Sequence, residues 1–284
     1  MEWIRQLRRQ IRPSARTLQS ALRWRRLAFD DAPPVFGNAK PKSGSHLLVQ
    51  ILSAFPRLMP CRYVEADPIR TITPSGSRRT GEEILADLHA LRPGVIGWGY
   101  LDATPPNVAF LCAPGRVNYF IYRDPRDVLV SHVYFATDMH EEHGMHALYQ
   151  SLPDFGARLK VAITGIEREG MKLVDVRRRY DAVLEWLTIP QVLCLRFEDL
   201  IQDREPTLGR MLDQFDKIGY RIAVPRSRAL EILRESIQPS KSHTFRSGRA
   251  GGWREHFTPE HKRLFLDVAG DLLIRLGYEH DNDW

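Results

Sequence analysis

The sequence predicts an α/β domain with a central, mostly parallel sheet flanked by helices. Short β-rich runs alternate with stretches of helical apolar period. The clearest run, Val117 to Tyr122, leads at once into Asp124-Pro125, an N-cap residue with proline at the first helical position. The chain has 284 residues, 43% of them apolar. That length supports one large domain with its own core and loop insertions.

In chain order, the first segment is a basic arm, residues 1–32. Arg5, Arg8, Arg9, Arg12, Arg16, Arg23, Arg25 and Arg26 face a single early acid, Glu2. Trp3, Ile4, Leu7 and Ile11 recur at helical spacing before Pro13. Such a helix suits a peripheral membrane contact through residues 1–26. The plainer reading is a solvated helix on the domain edge, or a partly disordered arm. Asp30-Asp31-Ala32-Pro33-Pro34 reads as a linker into the main domain, residues 33–284.

Val35-Phe36 opens a short strand that ends near Lys40. Leu47, Leu48, Ile51, Leu52 and Phe55 then follow helical spacing. Residues 57–79, rich in Pro, Gly, Ser and Arg, read as an irregular excursion. After the Val117–Tyr122 strand, Val128, Leu129 and His132 begin a helix. Leu173, Val176, Tyr180, Val183, Leu184 and Leu187 mark another helix, ending before Pro190, and Gln191 to Leu195 is the next strand. Thr258-Pro259 caps the last long helix, with Leu264, Phe265, Val268, Leu272 and Leu276 on its apolar face.

The formal net charge of +6 favours anionic partners without choosing among them. Cys61, Cys112 and Cys194 are far apart, which argues against a zinc site or a disulfide framework. Cys112 and Cys194 read as buried thiols, in keeping with a reducing, cytoplasmic setting. No apolar run reaches about 18 residues, so no membrane-spanning helix is expected, and the N-terminus lacks the apolar core of a signal peptide.

Lys40-Pro41-Lys42-Ser43-Gly44-Ser45-His46 lies between a strand and a helix. Such junctions direct free backbone N–H groups at an anion. Gly44 permits close approach, Ser43 and Ser45 add hydroxyls, and Lys42 adds a charge. GxxxxGK[ST] is absent, which counts against a P-loop nucleotide kinase or NTPase. The string resembles the 5′-phosphosulfate loop, PKSGTTW, of sulfotransferases that use 3′-phosphoadenosine 5′-phosphosulfate (PAPS). It departs at His46 and at Leu47, where the family has a tryptophan.

Three further segments resemble that family in the same order. Arg123 ends a strand and Ser131 follows eight positions later, as in the family's 3′-phosphate motif. Phe197-Glu198-Asp199-Leu200 is similar to YEDL, with Phe197 at the tyrosine that lies near adenine. Phe245-Arg246-Ser247-Gly248, with Gly252-Trp253-Arg254 and Phe257-Thr258 behind it, resembles FRKGxxGDWK…FT. Arg246, Ser247 and Gly248 take the positions that close over the 3′-phosphate. Ser247 replaces a lysine whose charge Arg249 is placed to restore.

The resemblance spans residues 35 to 260. It implies a soluble, cytosolic-type enzyme with a P-loop-like 5′-phosphosulfate loop, and the source it suggests is bacterial. PAPS is the implied co-substrate and 3′-phosphoadenosine 5′-phosphate (PAP) the product. The implied partner is a small-molecule, glycan or lipid hydroxyl acceptor. Neither metal nor nucleic acid is expected. Lys42 would neutralise the leaving phosphate oxygen. The family's base is a histidine, and Tyr100 stands in its place; Asp102 and His46 are the substitutes, Asp102 slightly preferred. That substitution keeps open a catalytically weakened protein that binds nucleotides or anionic surfaces. His132, His140, His143 and His146 read as isolated histidines in a lid, with a metal cluster as the less favoured option.

Overall fold

The computed structural model describes residues 15–26, 28–63, 68–73, 76–168, 171–238 and 248–284. The first elements are α1 (Ala15–Trp24), β1 (Val35–Ala39), α2 (Ser45–Leu52), β2 (Arg62–Tyr63) and β3 (Ile69–Arg70). They are followed by α3 (Gly81–Leu88), β4 (Val95–Tyr100), α4 (Pro105–Leu111), β5 (Val117–Tyr122) and α5 (Pro125–Tyr134). A π-helical turn, Phe135–Met139, extends α5. Then come α6 (His146–Ser151), α7 (Phe155–Thr164), the hairpin strands β6 (Ile166–Arg168) and β7 (Met171–Leu173), and α8 (Val176–Leu184). The chain continues through β8 (Val192–Arg196), α9 (Phe197–Gln202), α10 (Arg204–Lys217), α11 (Arg226–Ser236), α12 (Pro259–Ala269) and α13 (Leu272–Arg275).

The main sheet runs β2-β4-β1-β5-β8, with β3 also on β4, and every pair in it is parallel. Parallel neighbours require crossovers, and here helices supply them and cover both faces. Side chains on β5 alternate accordingly. Val117, Tyr119 and Ile121 join a core with Leu48 and Ile51 of α2, Met211 and Phe215 of α10, and Ile232 of α11. Phe120 points the other way, into a core with Val130 and Val133 of α5, Leu159 of α7, Tyr180 of α8 and Phe265 of α12.

Four sequence expectations shift. The 57–79 excursion contains β2 and β3, two-residue strands too short to leave a periodic signal. Leu173 belongs to β7, and the helix starts at Val176, where the Asp175 side chain accepts from the Arg178 N–H. The last long helix stops at Ala269, because Gly270 turns to φ 54°, and Leu272 lies in the separate α13. Cys61 is the buried thiol, whereas Cys112 and Cys194 are only partly covered. β4 carried no legible signal: Gly97 and Gly99 dilute its β-forming residues.

The described part of the arm packs onto the domain. The Trp24 indole donates to the Pro56 carbonyl at 2.9 Å, and the Cys61 N–H donates to Ser20 Oγ at 3.4 Å. Leu18 and Leu22 remain exposed. The helix expected from Trp3, Ile4, Leu7 and Ile11 lies outside the described residues. No helix among the described residues is long and apolar enough to cross a membrane.

Candidate active site

The loop after β1 turns sharply. The Ser43 N–H donates to the Lys40 carbonyl at 3.1 Å. Lys42 adopts φ 68° and Gly44 φ 96°. A non-glycine residue in the left-handed region is strained, and such strain collects at functional loops. At Gly44 a Cβ would sit 2.6 Å from Phe197 Cδ2 and 3.1 Å from Ile121 Cδ1, so a side chain has no room. α2 starts at Ser45, and the first N–H groups of a helix lack intrahelical partners. Ser43 Oγ is buried without a hydrogen-bond partner. Backbone donors, a buried hydroxyl and Lys42 together make a cradle for an anion.

Phe197 joins this loop to the second motif. The Arg123 guanidinium lies over its ring at 4.4 Å. Arg123 Nη2 donates to the Arg249 carbonyl at 2.8 Å and lies 3.5 Å from Asp127, while its Nε is buried without a partner. Asp127 also accepts from the N–H groups of Gly251 (2.8 Å) and Trp253 (2.9 Å). Burial raises the pKa of Asp127, and Arg123 and these two N–H donors pull it back. The glycine-rich segment is thereby tied to the first turn of α5. Gly248 is described, at φ 60°, whereas Arg246 and Ser247 lie outside the described residues. Ser131 lies further along α5, partly covered.

A second bracket holds the same turn. Arg126 is almost wholly buried, its guanidinium between the rings of Trp253 (3.8 Å) and Trp284 (4.5 Å). It pairs with Asp124 at 2.7 Å and with Glu279 at 2.6 Å. Buried charges need such partners.

At the end of β4, the Tyr100 hydroxyl donates to Ser45 Oγ at 2.9 Å. Burial raises the Tyr100 pKa, with Ser45 and Arg70 opposing, so the group stays a donor near neutrality. Asp102 pairs with Arg78 at 2.8 Å, and its N–H donates to Thr71 Oγ1 at 3.0 Å. His46 is exposed on the first turn of α2.

Residues the sequence reading passed over or set aside line the other side of the loop. Lys40 is buried, donates to the Arg179 carbonyl at 2.5 Å and lies 4.3 Å from the Tyr180 ring centre. Burial pulls its pKa down to about 7, with Arg179 adding and Asp102 opposing. Lys42 Nζ stands 3.8 Å over the Phe135 ring. His132 presents a buried Nε2 without a partner and meets His143 (5.2 Å) and Tyr149 (5.8 Å) edge-to-face. Burial, then Arg179, His143, Lys42 and Lys40, hold its pKa well below the usual histidine value. Among the described residues, no group of His, Cys, Asp or Glu is arranged to hold a metal.

The family profile described as a sulfotransferase domain matches residues 119–277. The chain belongs to this sulfotransferase family. Mouse sulfotransferase 2A6 is 21% identical over 251 residues, 82% of this chain and 82% of the relative. A guinea-pig 3-beta-hydroxysteroid sulfotransferase is 26% identical over 235 residues, covering 77% and 76%. Both are animal proteins and do not bear on the bacterial source suggested by the sequence. Among solved structures, mouse sulfotransferase SULT7A1 complexed with PAP shares the fold at TM-score 0.56 and 19% identity, covering 94% of this chain and 93% of that one. Retinol dehydratase in complex with androsterone and PAP follows at TM-score 0.53 and 17% identity, covering 90% and 85%.

For this sulfotransferase, the signal missed in the sequence was adjacency. Lys40 opens the phosphate-loop string and His132 follows Ser131 directly.

Proposed function

We propose that this sulfotransferase moves the sulfuryl group of PAPS to a hydroxyl acceptor by in-line displacement. One observation carries the reading: Phe197 touches Gly44, stacks under Arg123, and Arg123 reaches Arg249, so four separate motifs converge. The residues suit the nucleotide. Ser43 Oγ and Arg123 Nε are buried donors with unused capacity, which a phosphosulfate and a 3′-phosphate would fill.

In this reading Lys42, Ser43, Gly44, Ser45 and His46 hold the 5′-phosphosulfate end. Arg123 and Ser131, with Arg246, Ser247 and Gly248, hold the 3′-phosphate, and Phe197 borders the adenine. Sulfuryl transfer, like phosphoryl transfer, is mainly positioning and charge stabilisation on a loose transition state. Lys42 meets the charge that develops on the leaving phosphate oxygen. Tyr100 orients Ser45 by its hydrogen bond. Asp102 and His46 are the proton acceptors that the sequence offers, and the ion pair with Arg78 argues for Asp102 as an anchor for that arginine. The acceptor class stays a small-molecule, glycan or lipid hydroxyl. A location in the cytoplasm with a peripheral membrane contact through residues 1–26 goes with this reading. Its support is the exposed Leu18 and Leu22 on the same helix as Arg23.

Ligand-induced thermal stabilisation tests the nucleotide assignment. PAP should raise the melting temperature, and ATP with magnesium should not. Stabilisation by ATP–magnesium alone would return the nucleotide-kinase reading.

A further inference from the structure

We propose that His132 is the proton acceptor of this enzyme and that Tyr149 holds the acceptor hydroxyl beside it. This rests on the sulfuryl-transfer reading above. His132 Nε2 and the Tyr149 hydroxyl are both buried, both lack a partner, and their rings are 5.8 Å apart. An unsatisfied buried polar group is costly, so two on rings that meet point to a ligand that completes them. An alcohol fits. Its O–H donates to the imidazole nitrogen, and its oxygen accepts from the phenol.

The site borders the phosphate loop. Lys42 stands over Phe135, Phe135 meets His143 at 5.9 Å, and His143 meets His132. His132 immediately follows Ser131, which the donor reading places at the 3′-phosphate. The groups around His132 are Lys40 and Lys42 from the phosphate loop, His143 from the segment after the π turn, Tyr149 from α6 and Arg179 from α8. Lys42 and Arg179 are cations, Lys40 is one below about pH 7, and the rest are neutral, so burial and charge both oppose protonation of the imidazole. Burial pushes the Tyr149 pKa up, which keeps its hydroxyl a donor.

In the step itself, the acceptor oxygen forms a bond to sulfur while the bond from sulfur to the 5′-phosphate oxygen breaks. The breaking bond's electron pair leaves on that oxygen, giving PAP. The hydroxyl proton passes to His132 Nε2, and the imidazolium later releases it to solvent.

The test is single-turnover transfer from radiolabelled PAPS to 2-naphthol, a 3β-hydroxysteroid and retinol as probes. His132→Gln should lower the rate at least about 10²-fold on any probe accepted by the unmodified protein, with PAP affinity by calorimetry within about twofold. Imidazole added to His132→Ala should restore turnover, which a packing role would not give. Tyr149→Phe should raise KM more than it lowers kcat. The acid limb of the rate should lie below the ordinary histidine range of about 6.5, and Lys40→Met should move it upward. Full turnover by His132→Gln overturns the proposal and leaves the sulfuryl-transfer reading standing. Failure of the unmodified protein to bind PAP overturns that reading instead. If no probe is sulfated, histidine ring NMR decides: at neutral pH the proton must sit on Nδ1, and a protonated Nε2 sinks the assignment.

Discussion

The two sides of the phosphate loop are built differently. On the Arg123 side, guanidinium, ring and carboxylate groups already bind one another: Arg123 on Phe197, Asp127 on the glycine-rich segment, Arg126 between two tryptophans. On the His132 side, polar atoms are buried and left open, and Lys40 is held with its pKa pulled down to about 7. The first arrangement is largely paired, with Arg123 Nε left open, and suits a ligand of fixed shape. The second keeps hydrogen-bonding capacity in reserve, at a cost in stability, which suits chemistry on a proton. Paired groups and open ones therefore occupy adjoining walls of one loop.

The largest effect that would sharpen this contrast is expected from Lys42→Ala. It should lower single-turnover transfer by about 10²–10³ while PAP still binds, because removing one charge-stabilising group at a transition state has that magnitude. An unchanged rate would remove the loop from the chemistry. Arg123→Ala should weaken PAP at least tenfold and spare a nucleotide that lacks the 3′-phosphate. Charged hydrogen bonds to phosphate are worth about 1.5–3 kcal/mol each. Equal losses for both nucleotides would make Arg123 structural, and the pinned wall would then be scaffold alone.

These two residues were legible because they sit in short strings where spacing encodes geometry: Lys42 before Gly44, Arg123 at a strand end before Asp124-Pro125. The β5–α5 junction was legible for the same local reason, since the Asp124 side chain accepts from the Arg126 N–H as an N-cap should. β2, β3 and β4 were not legible. Their pairing is non-local, and two-residue strands carry no period. Nor was the open wall. The burial of Lys40 depends on Arg179 and Tyr180, which lie on α8, far away in the chain.

Lys40 gives a smaller, pH-dependent effect. Its folded pKa lies near 7, below the value near 10.5 of an unfolded lysine. Between those values the unfolded chain binds more protons, so this group makes stability rise with pH from about 7 to about 10. Lys40→Met should flatten that part of a melting-temperature profile. A profile with the same slope in both proteins would show that Lys40 titrates normally. The smallest effects are expected at the β4 end. Tyr100→Phe and Asp102→Asn should each lower turnover by less than about tenfold, since Tyr100 orients Ser45 and Asp102 anchors Arg78. A loss of about 10² in Asp102→Asn, with His132→Gln active, would move the proton to Asp102 and erase the distinction between the walls.

The strand order has a consequence for the growing chain. β1 carries the phosphate loop and lies between β4 and β5, both of which leave the ribosome after it. Until they arrive, its five buried residues have nothing to pair with. Parallel pairings between distant segments form slowly, and an unpaired apolar strand invites association with other chains. Nascent chains stalled before Val117 should therefore be the ones that chaperones bind most tightly. Release should coincide with the appearance of β5, which supplies the second flank of β1.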